Sequence, residues 1–460
     1  MCEHALARSA RAVVRVNSHG IGEVESMSHA QYVLTPWSAQ GNLAMPAIDR
    51  AAGVYLYDDT GKRYLDLASG LVAVNLGHGH PRVVAAIAEQ AAKLCYSPPA
   101  LFNTTRARLA EDLSRISPWL EGCRTFFTTN GAQANEDAMK IAREVTGRHK
   151  VLAAYRSFHG STPGAGALSG ESRRWPNEPS TMPNVVHFFT PYPYRSPFNT
   201  SDPAMECERA LAHLELVLMY EDPERVAAIF IEPVVGSNGV IVYPPGYLAG
   251  LRAISDRHGI MLVFDEVMTG FGRTGDTFAS ARYDVVPDMM TIAKGVTSAY
   301  VPLGGVMVRE SIARYFDDRV LGAGHTYSGH PLATAAGIAA LAAYREEHLY
   351  TRAREIETWL REGLEALRAR LPLIGDVRGI GAFFAIELVR DAATREPLVA
   401  WQGKSGGALP AILRRLRELG VYTFGRYNCL MITPPLVIER AELDEGLASL
   451  GTALEESLVH

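Results

Sequence analysis

Short apolar segments alternate with helix-like segments from about residue 82 to residue 345, and this alternation limits the possible folds more than any other feature of the sequence. The strand-like segments are Thr125–Thr128, Val151–Ala154, Val185–Phe189, Val226–Ile231, Ile260–Phe264 and Gly304–Val308. The helix-like segments include Ala134–Val145, Glu206–Tyr220 and Pro245–His258. Such alternation is typical of βαβ units with helices on both faces of the sheet. The sequence therefore predicts an α/β fold with a large, mainly parallel sheet.

The two ends of the chain follow a different pattern. Thr351–Leu371 and Ala408–Leu419 predict helices, whereas Gly379–Val389 and Val421–Thr433 predict strands. Near the N-terminus, two strand-like segments flank the turn Asp59-Thr60-Gly61, as in a hairpin. These two segments are Val54–Asp58 and Arg63–Leu67. We therefore predict a small α+β domain that both chain ends form.

The predicted domain boundaries follow from these patterns. Residues 1–26 are expected to form a flexible tail, with a transit peptide or a start codon assigned too early, ahead of Met27, as the alternatives. The small domain is expected to comprise residues 27–80 and 346–460, and the large domain residues 81–345.

Composition excludes several classes of protein. Apolar residues make up 47% of the 460 residues and the net charge is −5, which excludes a highly charged, disordered chain and argues against a nucleic-acid partner. The five cysteines are widely spaced without a C-x-x-C pair, so we expect neither a disulfide framework nor a metal site. No apolar run reaches the length of about 18 residues that a membrane span needs. We expect a cytoplasmic protein without a membrane partner.

Two acidic residues follow directly after a strand-like apolar segment. Asp265 and Glu266 come immediately after Phe264. Ligands of open α/β sheets bind beyond the carboxyl ends of the strands, so a carboxylate there is expected to face a ligand. A helix cap or a surface salt bridge is the structural alternative.

A lysine ends another apolar segment. Lys294 follows Met289–Ala293 and precedes Gly295. An ammonium group beside a buried strand end is costly unless it is paired or its pKa is lowered, and a lysine with a lowered pKa is a usable nucleophile. The alternative is a lysine whose stem packs while its charge reaches water.

A third segment predicts an anion site. The strand-like run that ends at Thr128 leads through Gly131 into a helix, and the free N–H groups at a helix start bind anions. The chain has no P-loop motif, and Gly164–Gly170 has the wrong spacing for a dinucleotide fingerprint. A single phosphate seat, a lysine and a carboxylate together describe a pyridoxal 5'-phosphate (PLP) site.

With these residues in place, the chain resembles the class III (ω-) aminotransferases, which are PLP-dependent enzymes of fold type I. The resemblance covers about Tyr32 to Leu458. It is carried by Leu262–Gly275 and Ala293-Lys294-Gly295, with support from Phe158-His159-Gly160, Ile231-Glu232-Pro233 and His325–Pro331.

The resemblance implies a role for each residue around the cofactor. Lys294 should hold PLP and shuttle the proton, and Asp265 should stabilise the protonated ring nitrogen. The expected contacts with PLP are Phe158 and Val267 on opposite ring faces, His159 and Glu232 nearby, and the N–H groups of Gly131 and Ala132 at the phosphate. Thr326 should reach the phosphate of the neighbouring subunit, which implies a homodimer with shared active sites.

Three positions depart from the usual family pattern, and together they put cofactor affinity in question. Ala132 stands where relatives often have a hydroxyl residue, and Gln133 stands where they often have glutamate. Phe158 lacks the phenol that the stacking residue often carries.

The resemblance also indicates a substrate pocket. Trp37 corresponds to an aromatic residue that lines it, and Leu71 and Val72 fall where several amine transaminases have a bulky tryptophan. Arg426, a lone arginine in a glycine-containing loop, resembles the residue that binds the acceptor carboxylate, as a guanidinium does well. Arg378 is a competing candidate for which a structural role is expected.

The predicted activity is that of a PLP-dependent ω-aminotransferase. It would move an amino group from an amine or an ω-amino acid to a 2-oxo acid, with pyruvate as the expected acceptor, by a ping-pong mechanism. An amino-acid epimerase of the same fold is one alternative. A PLP-binding regulator is another, but no basic helix-turn-helix segment precedes the fold.

Overall fold

The computed structural model describes residues 32–42, 45–180, 182–399 and 407–457. The strands of this part of the chain are β1 (Ile48–Ala52), β2 (Tyr55–Asp58), β3 (Arg63–Asp66), β4 (Cys123–Thr128), β5 (Lys150–Ala154), β6 (Val185–Phe188), β7 (Val226–Ile231), β8 (Val234–Val235), β9 (Ile241–Val242), β10 (Met261–Asp265), β11 (Met289–Ile292), β12 (Gly304–Arg309), β13 (Ile374–Ile380), β14 (Phe383–Asp391), β15 (Glu396–Pro397), β16 (Val421–Tyr422), β17 (Gly425–Arg426) and β18 (Cys429–Ile432).

The helices of the same ranges surround these strands. They are α1 (Ser69–Val72), α2 (Pro81–Lys93), α3 (Thr104–Arg115), α4 (Gly131–Thr146), α5 (Pro163–Leu168), α6 (Pro203–Glu221), α7 (Tyr247–His258), α8 (Ala279–Tyr283), α9 (Glu310–Ala313), α10 (Pro331–Glu346), α11 (Leu349–Arg370), α12 (Ala408–Glu418) and α13 (Arg440–Ser457). Among the described residues, no helix combines the length and the apolar character that crossing a membrane requires.

A seven-stranded sheet forms the centre of the molecule, in the order β4–β12–β11–β10–β7–β5–β6. Neighbouring strands from β11 to β6 run parallel, whereas β12 is antiparallel to both β11 and β4. Every residue of β7 and β10 is buried, as expected for strands that are covered on both faces. The predicted α/β fold with a mainly parallel sheet is confirmed.

Both chain ends contribute to one smaller sheet. The predicted hairpin is present as β2 and β3, which pair antiparallel. Strand β3 then pairs in parallel with β16, with Leu65 opposite Val421. The expectation of a small α+β region built from both ends is therefore confirmed, while the exact domain boundaries stay a prediction.

Two strand predictions near the C-terminus are wrong in detail. Gly379–Val389 is not one strand, because the chain reverses between β13 and β14 at Gly381, whose φ is +61°. A Cβ atom at Gly381 would lie 2.4 Å from the Arg273 carbonyl oxygen, so only glycine fits this turn. Val421–Thr433 is divided into β16, β17 and β18, with Tyr427 at a φ of +55° in the turn between the last two.

A fully buried arginine joins the small region to the large sheet. Arg273 donates through Nη1 to the Ala382 oxygen at 2.9 Å and the Pro434 oxygen at 2.6 Å. Its Nη2 donates to Ser69 Oγ at 3.1 Å and Asn75 Oδ1 at 2.6 Å. Burial lowers the pKa of Arg273 to about 10, so the guanidinium stays charged near neutral pH. One side chain thus connects the segment after β10 to both chain ends.

Replacement of this arginine should destabilise the protein strongly. Arg273→Met keeps the bulk of the side chain but leaves four buried acceptors without their donor. Since one unsatisfied buried group costs about 1–3 kcal/mol, we expect the free energy of unfolding to fall by about 3 kcal/mol or more. Urea denaturation followed by circular dichroism measures this change.

Arg345→Met is the matched control, because the Arg345 side chain is 75% exposed and pairs with the neighbouring Glu346 at 3.5 Å. We expect a change within about 0.5 kcal/mol for this surface site. Equal urea midpoints for the two variants would contradict a structural role of Arg273.

Candidate active site

The carboxylate of Asp265 lies buried at the C-terminal end of β10, where several elements hold it. Its Oδ2 accepts from Asn135 Nδ2 at 2.8 Å and lies 2.7 Å from His159 Nδ1, and its Oδ1 accepts from the Val267 N–H at 3.0 Å. Thr291 Oγ1 donates to Asn135 Oδ1 at 2.9 Å, which fixes the orientation of the amide. The carboxylate therefore has a fixed position.

His159 interacts electrostatically with the Asp265 carboxylate. Burial alone lowers the pKa of His159, but its hydrogen bond to Asp265 and the charge of that carboxylate outweigh burial, so that the pKa is raised. The nearby Glu232 contributes in the same direction. His159 and Asp265 thus form a buried, hydrogen-bonded pair at the strand end.

Lys294 lies just beyond the neighbouring strand. Strands β10 and β11 are parallel with Asp265 opposite Thr291, so Lys294 projects from the same edge of the sheet as Asp265. Burial lowers the pKa of Lys294 to about 8, although the charges of Asp265 and Glu232 oppose this shift. The lysine therefore supplies a neutral amine at a pH where an ordinary lysine does not.

Helix α4 begins with two N–H groups that no described residue uses. The N-cap residue Asn130 accepts from the Gln133 N–H at 2.9 Å, and the Gln133 side chain accepts from the Thr129 N–H at 3.0 Å. The N–H groups of Gly131 and Ala132 have no hydrogen-bond partner in the described part of the chain. They remain available for an anion, with the helix dipole in support.

Gly131 also allows a close approach between α4 and Val267, two residues after the end of β10. A Cβ atom at position 131 would lie 2.9 Å from Val267 Cγ2 and 3.6 Å from the Ala293 Cβ. Any larger residue at position 131 would clash with the Val267 side chain. The predicted phosphate site therefore lies directly beside Asp265 and Lys294.

Glu232 at the end of β7 positions the predicted stacking residue. Its Oε1 accepts from the Phe158 N–H at 2.9 Å and its Oε2 from the Gly236 N–H at 2.8 Å. Burial raises the pKa of Glu232 to about 7. The carboxyl group thus fixes the backbone that carries Phe158.

The aromatic side chains predicted for the site lie together. The Trp37 ring is edge-on to Phe158 with the ring centroids 6.1 Å apart. Arg173, which the sequence did not identify, places its guanidinium 3.6 Å from the Phe158 centroid and 5.5 Å from the Trp37 centroid. The Leu71 side chain is half exposed, whereas Val72 is only 1% exposed and packs in an apolar cluster.

Arg426 does not stand alone, contrary to the expectation of a lone arginine. Its Nη2 pairs with Glu171 Oε2, a carboxylate whose side chain is fully buried, and lies 3.3 Å from Ser172 Oγ. The same Glu171 pairs through Oε1 with Arg173 Nε. Arg378, the competing candidate, donates to Asp376 and Glu387 at 2.8 Å each, as a structural residue does.

Thr326 lies on the surface of the chain, in a segment that contacts α4. His325 Nε2 is 2.5 Å from Asp137 Oδ2 on α4, and Tyr96 OH donates to the Thr326 oxygen at 3.1 Å. The Thr326 side chain is exposed. It therefore faces outward from the chain.

The residues present fit PLP. Three groups lie at one edge of the sheet: the Lys294 amine, whose pKa is lowered, the buried Asp265 carboxylate with its imidazole partner, and the unused N–H groups at the start of α4, which begins with a glycine. Phe158 adds a half-buried aromatic ring. Lys294 would hold the cofactor, Asp265 would face its ring nitrogen, and Gly131 and Ala132 would bind its phosphate.

Comparisons with known proteins agree with this fit. A family model for Aminotransferase class-III matches residues 38–454. A probable aminotransferase of Mycobacterium tuberculosis is 38% identical over 418 residues, which cover 87% of this chain and 87% of that protein. The 5-aminovalerate aminotransferase of Pseudomonas aeruginosa is 34% identical over 423 residues, which cover 90% of this chain and 95% of that protein.

A solved structure is similar over almost the whole chain. Taurine:2-oxoglutarate aminotransferase from Bifidobacterium kashiwanohense, in complex with PLP and glutamate, has a TM-score of 0.90 and 43% sequence identity. The match covers 93% of this chain and 96% of that chain.

The lowered pKa of Lys294 can be measured without any turnover. In the cofactor-free protein, labelling of Lys294 by an aldehyde and borohydride should reach half its maximal rate near pH 8, because only the neutral amine reacts. Asp265→Asn should move this midpoint to lower pH, since the charge of Asp265 raises the pKa of Lys294. Peptide mass spectrometry across a pH series gives both midpoints.

The exposed Lys93 serves as an internal control in the same samples. A midpoint for Lys294 near 10.5, the ordinary lysine value, would show that its amine is solvated and contradict the assignment.

Proposed function

The chain belongs to the class III aminotransferases, which are PLP-dependent enzymes, and we propose that it moves an amino group from an amine or an ω-amino acid to a 2-oxo acid by a ping-pong mechanism. We propose pyruvate as the acceptor. The names of two similar proteins, taurine:2-oxoglutarate aminotransferase and 5-aminovalerate aminotransferase, support a donor with a terminal amine. The single observation that carries the proposal is that Asp265, at the end of β10, and Lys294, just beyond the parallel neighbour β11, lie beside the open start of α4.

Each residue of the site has a separate role in the proposed reaction. PLP, when bound, supplies an electron sink for charge that develops at the carbon bearing the amine. Lys294 Nζ, with a pKa near 8, can accept a proton from that carbon and return it at near-neutral pH. The Asp265 carboxylate would face the ring nitrogen, and His159 and Asn135 hold the carboxylate in position.

The acceptor needs a cation for its carboxylate, and we propose Arg426 for this role. Its guanidinium lies in the small region, about one-quarter exposed at 23%, and Tyr427 OH lies 3.2 Å from its Nη2. A planar guanidinium binds a carboxylate through two parallel hydrogen bonds. Trp37 and Leu71 are proposed to border the space for the rest of the substrate, with Val72 supporting Leu71 from the core.

We further propose that the enzyme works in the cytoplasm. The described cysteines, Cys95, Cys123, Cys207 and Cys429, are free thiols, which is usual in a reducing compartment.

A test of the proposed function asks whether two substrates are needed. Purified holoenzyme, an amine donor and pyruvate should give alanine and the carbonyl product of the donor in equal amounts, and omission of pyruvate should stop product formation after one turnover. Lys294→Ala should lower the rate by at least about 1,000-fold, since it removes both the covalent and the acid–base group. Chromatography of both products measures these outcomes.

Lys93→Ala, at an exposed lysine of α2, is the control and should keep full activity. Conversion of a chiral amino acid into its epimer without any 2-oxo acid would overturn the proposal in favour of an epimerase.

We also propose a homodimer in which Thr326 reaches the cofactor phosphate of the partner subunit. Exposed apolar side chains occur in the segments that contact the Thr326 segment, since Arg106 donates to both the Leu101 oxygen and the Ser328 oxygen, and exposed apolar surface marks protein interfaces. Phe102 is 97% exposed, Leu101 61% and Tyr327 58%. The Tyr96 ring links this surface to the Thr326 segment, with its centroid 6.1 Å from that of Tyr327.

A charge placed on this surface should separate the subunits. Phe102→Asp buries a carboxylate in the proposed interface, so we expect monomers in sedimentation velocity and the loss of most activity. Thr326→Ala should leave the dimer intact and weaken PLP retention roughly 2- to 10-fold, which is the effect of one hydrogen bond.

Met219→Asp, at a side chain of α6 that is 63% exposed, controls for a general effect of surface charge and should remain dimeric. A fully active monomer at all concentrations is incompatible with shared active sites.

A further inference from the structure

Helix α4 begins at the proposed phosphate site and contacts a second segment less than two turns later. Its Asn135 donates to Asp265 Oδ2 at 2.8 Å, within the site of its own subunit. The Oδ2 atom of Asp137, two residues further along, lies 2.5 Å from Nε2 of His325, which directly precedes Thr326. With a rise of about 1.5 Å per residue, only about 9 Å of helix separates Asp137 from the start of α4. One rigid element therefore contacts both the cofactor site and the Thr326 segment.

A buried charge holds the His325 segment against α4. The Asp137 side chain has no exposed surface, and its Oδ1 accepts from Lys140 Nζ at 2.9 Å. The Lys140 side chain is 40% exposed, so water screens part of its charge. His325 pairs with the other carboxylate oxygen, and its ring centroid lies 5.9 Å from that of Phe126. Because a buried carboxylate is costly without hydrogen-bonding partners, this pair resists separation.

Two further contacts hold the backbone around Thr326 in place. A Cβ atom at Gly322 would lie 2.5 Å from Glu144 Oε1, so this part of the segment also lies close to α4. Glu144 comes seven residues after Asp137 and therefore lies on the same face of the helix. On the other side of Thr326, Ser328 Oγ donates to a backbone oxygen of β4 at 2.7 Å. The backbone is thus fixed on both sides of an exposed threonine side chain.

The cofactor site of the same subunit has separate supports. The Asn130 side chain accepts from a backbone N–H in the first turn of α4 at 2.9 Å. Thr291 Oγ1 donates to Asn135 Oδ1, also at 2.9 Å. Neither contact involves Asp137. A change at Asp137 should therefore displace the Thr326 segment before it displaces the start of α4.

We propose that Asp137 is a positioning residue that acts through His325 to hold Thr326 at the cofactor phosphate of the partner subunit. The inference rests on the proposed homodimer and deepens it, because it assigns a residue of one subunit to cofactor binding in the other. Within the described ranges, Asp137 forms ion pairs with His325 and Lys140, and neither of these cations belongs to the proposed phosphate site. Its effect on cofactor retention therefore arises in the partner's site and not in its own.

The first test uses the holoenzyme dimer. Asp137→Asn keeps the shape of the side chain but removes its charge, so we expect PLP retention to weaken roughly 2- to 10-fold, the effect of one hydrogen bond. Combined with Thr326→Ala, it should cause no loss beyond that of Thr326→Ala alone, because both variants remove the same phosphate contact. Equilibrium dialysis, with the absorbance of the bound cofactor as the signal, measures retention.

Hybrid dimers show in which subunit the effect arises. One subunit carries Lys294→Ala, so that borohydride fixes PLP only on Lys294 of the other subunit. Asp137→Asn in the Lys294→Ala subunit should weaken retention of the fixed cofactor roughly 2- to 10-fold. The same substitution in the subunit that keeps Lys294 should leave retention at the level of a hybrid without it. Peptide mass spectrometry over a series of PLP concentrations gives both values.

Variants of His325 test the same contact from its other side. The His325 side chain is 21% exposed, so its replacement disturbs the core less than a change at the buried Asp137. His325→Ala should weaken retention as Asp137→Asn does, whereas His325→Gln, whose amide can still donate to Asp137, should keep most of it. Asp444→Asn is the matched control, because its side chain is 55% exposed and pairs with Arg440 on α13 at 3.0 Å. It should leave PLP retention unchanged.

A loss that follows Asp137→Asn in the subunit with Lys294 would show that Asp137 supports its own α4, and additive losses with Thr326→Ala would show two separate contacts. Either result overturns the inference, as does unchanged retention in a folded His325→Ala dimer. A monomeric wild type, or a Thr326→Ala dimer that retains PLP fully, would instead overturn the proposed homodimer with shared sites, and the inference with it.

Discussion

The site is organised around one buried charge. A carboxylate removed from water costs several kcal/mol unless hydrogen bonds replace its hydration, and Asp265 obtains them from Asn135 on α4, from His159 and from the backbone of Val267. These partners come from three separate segments. If α4 or the His159 segment moved, the carboxylate would lose a donor, so the position of each element is tied to this charge. The amine of Lys294 and the free N–H groups of α4 take their positions from the same arrangement.

Much of the fold could be predicted from the sequence because the signals were local. A buried parallel strand is a continuous apolar run, and its end is visible where the run meets a charged residue, as at Asp265 and Lys294. Turns inside a strand-like run were harder to find. Gly381 reverses the chain within Gly379–Val389 with a left-handed backbone conformation, and its close contact with the Arg273 backbone leaves no room for a side chain. Strand order depends on long-range packing and had no local signal.

The charge cluster of Glu171, Arg173 and Arg426 at the edge of the site could not be predicted from the sequence. Arg426 was recognised as an arginine in a loop, but its partner Glu171 lies 255 positions earlier in the chain. Glu171 and Arg173 follow a glycine-rich stretch that has no motif of its own, and charged residues in such loops are usually solvated. Only the fold brings Arg173 against Phe158 and Glu171 against Arg426. The residues at the strand ends were therefore predictable, whereas the ionic partners in this charge cluster were not.

The pairing of β3 with β16 has a consequence for the time course of folding. Ribosomes add about 5–20 residues per second, so Val421 is synthesised roughly 20 to 70 s after Leu65, its partner on the neighbouring strand. The strands of the central sheet emerge earlier and can pair during this time. Meanwhile β3 presents an unpaired strand edge, the kind of surface to which other chains add. The sheet of β1, β2, β3 and β16 can therefore be completed only after the strands of the central sheet have been synthesised.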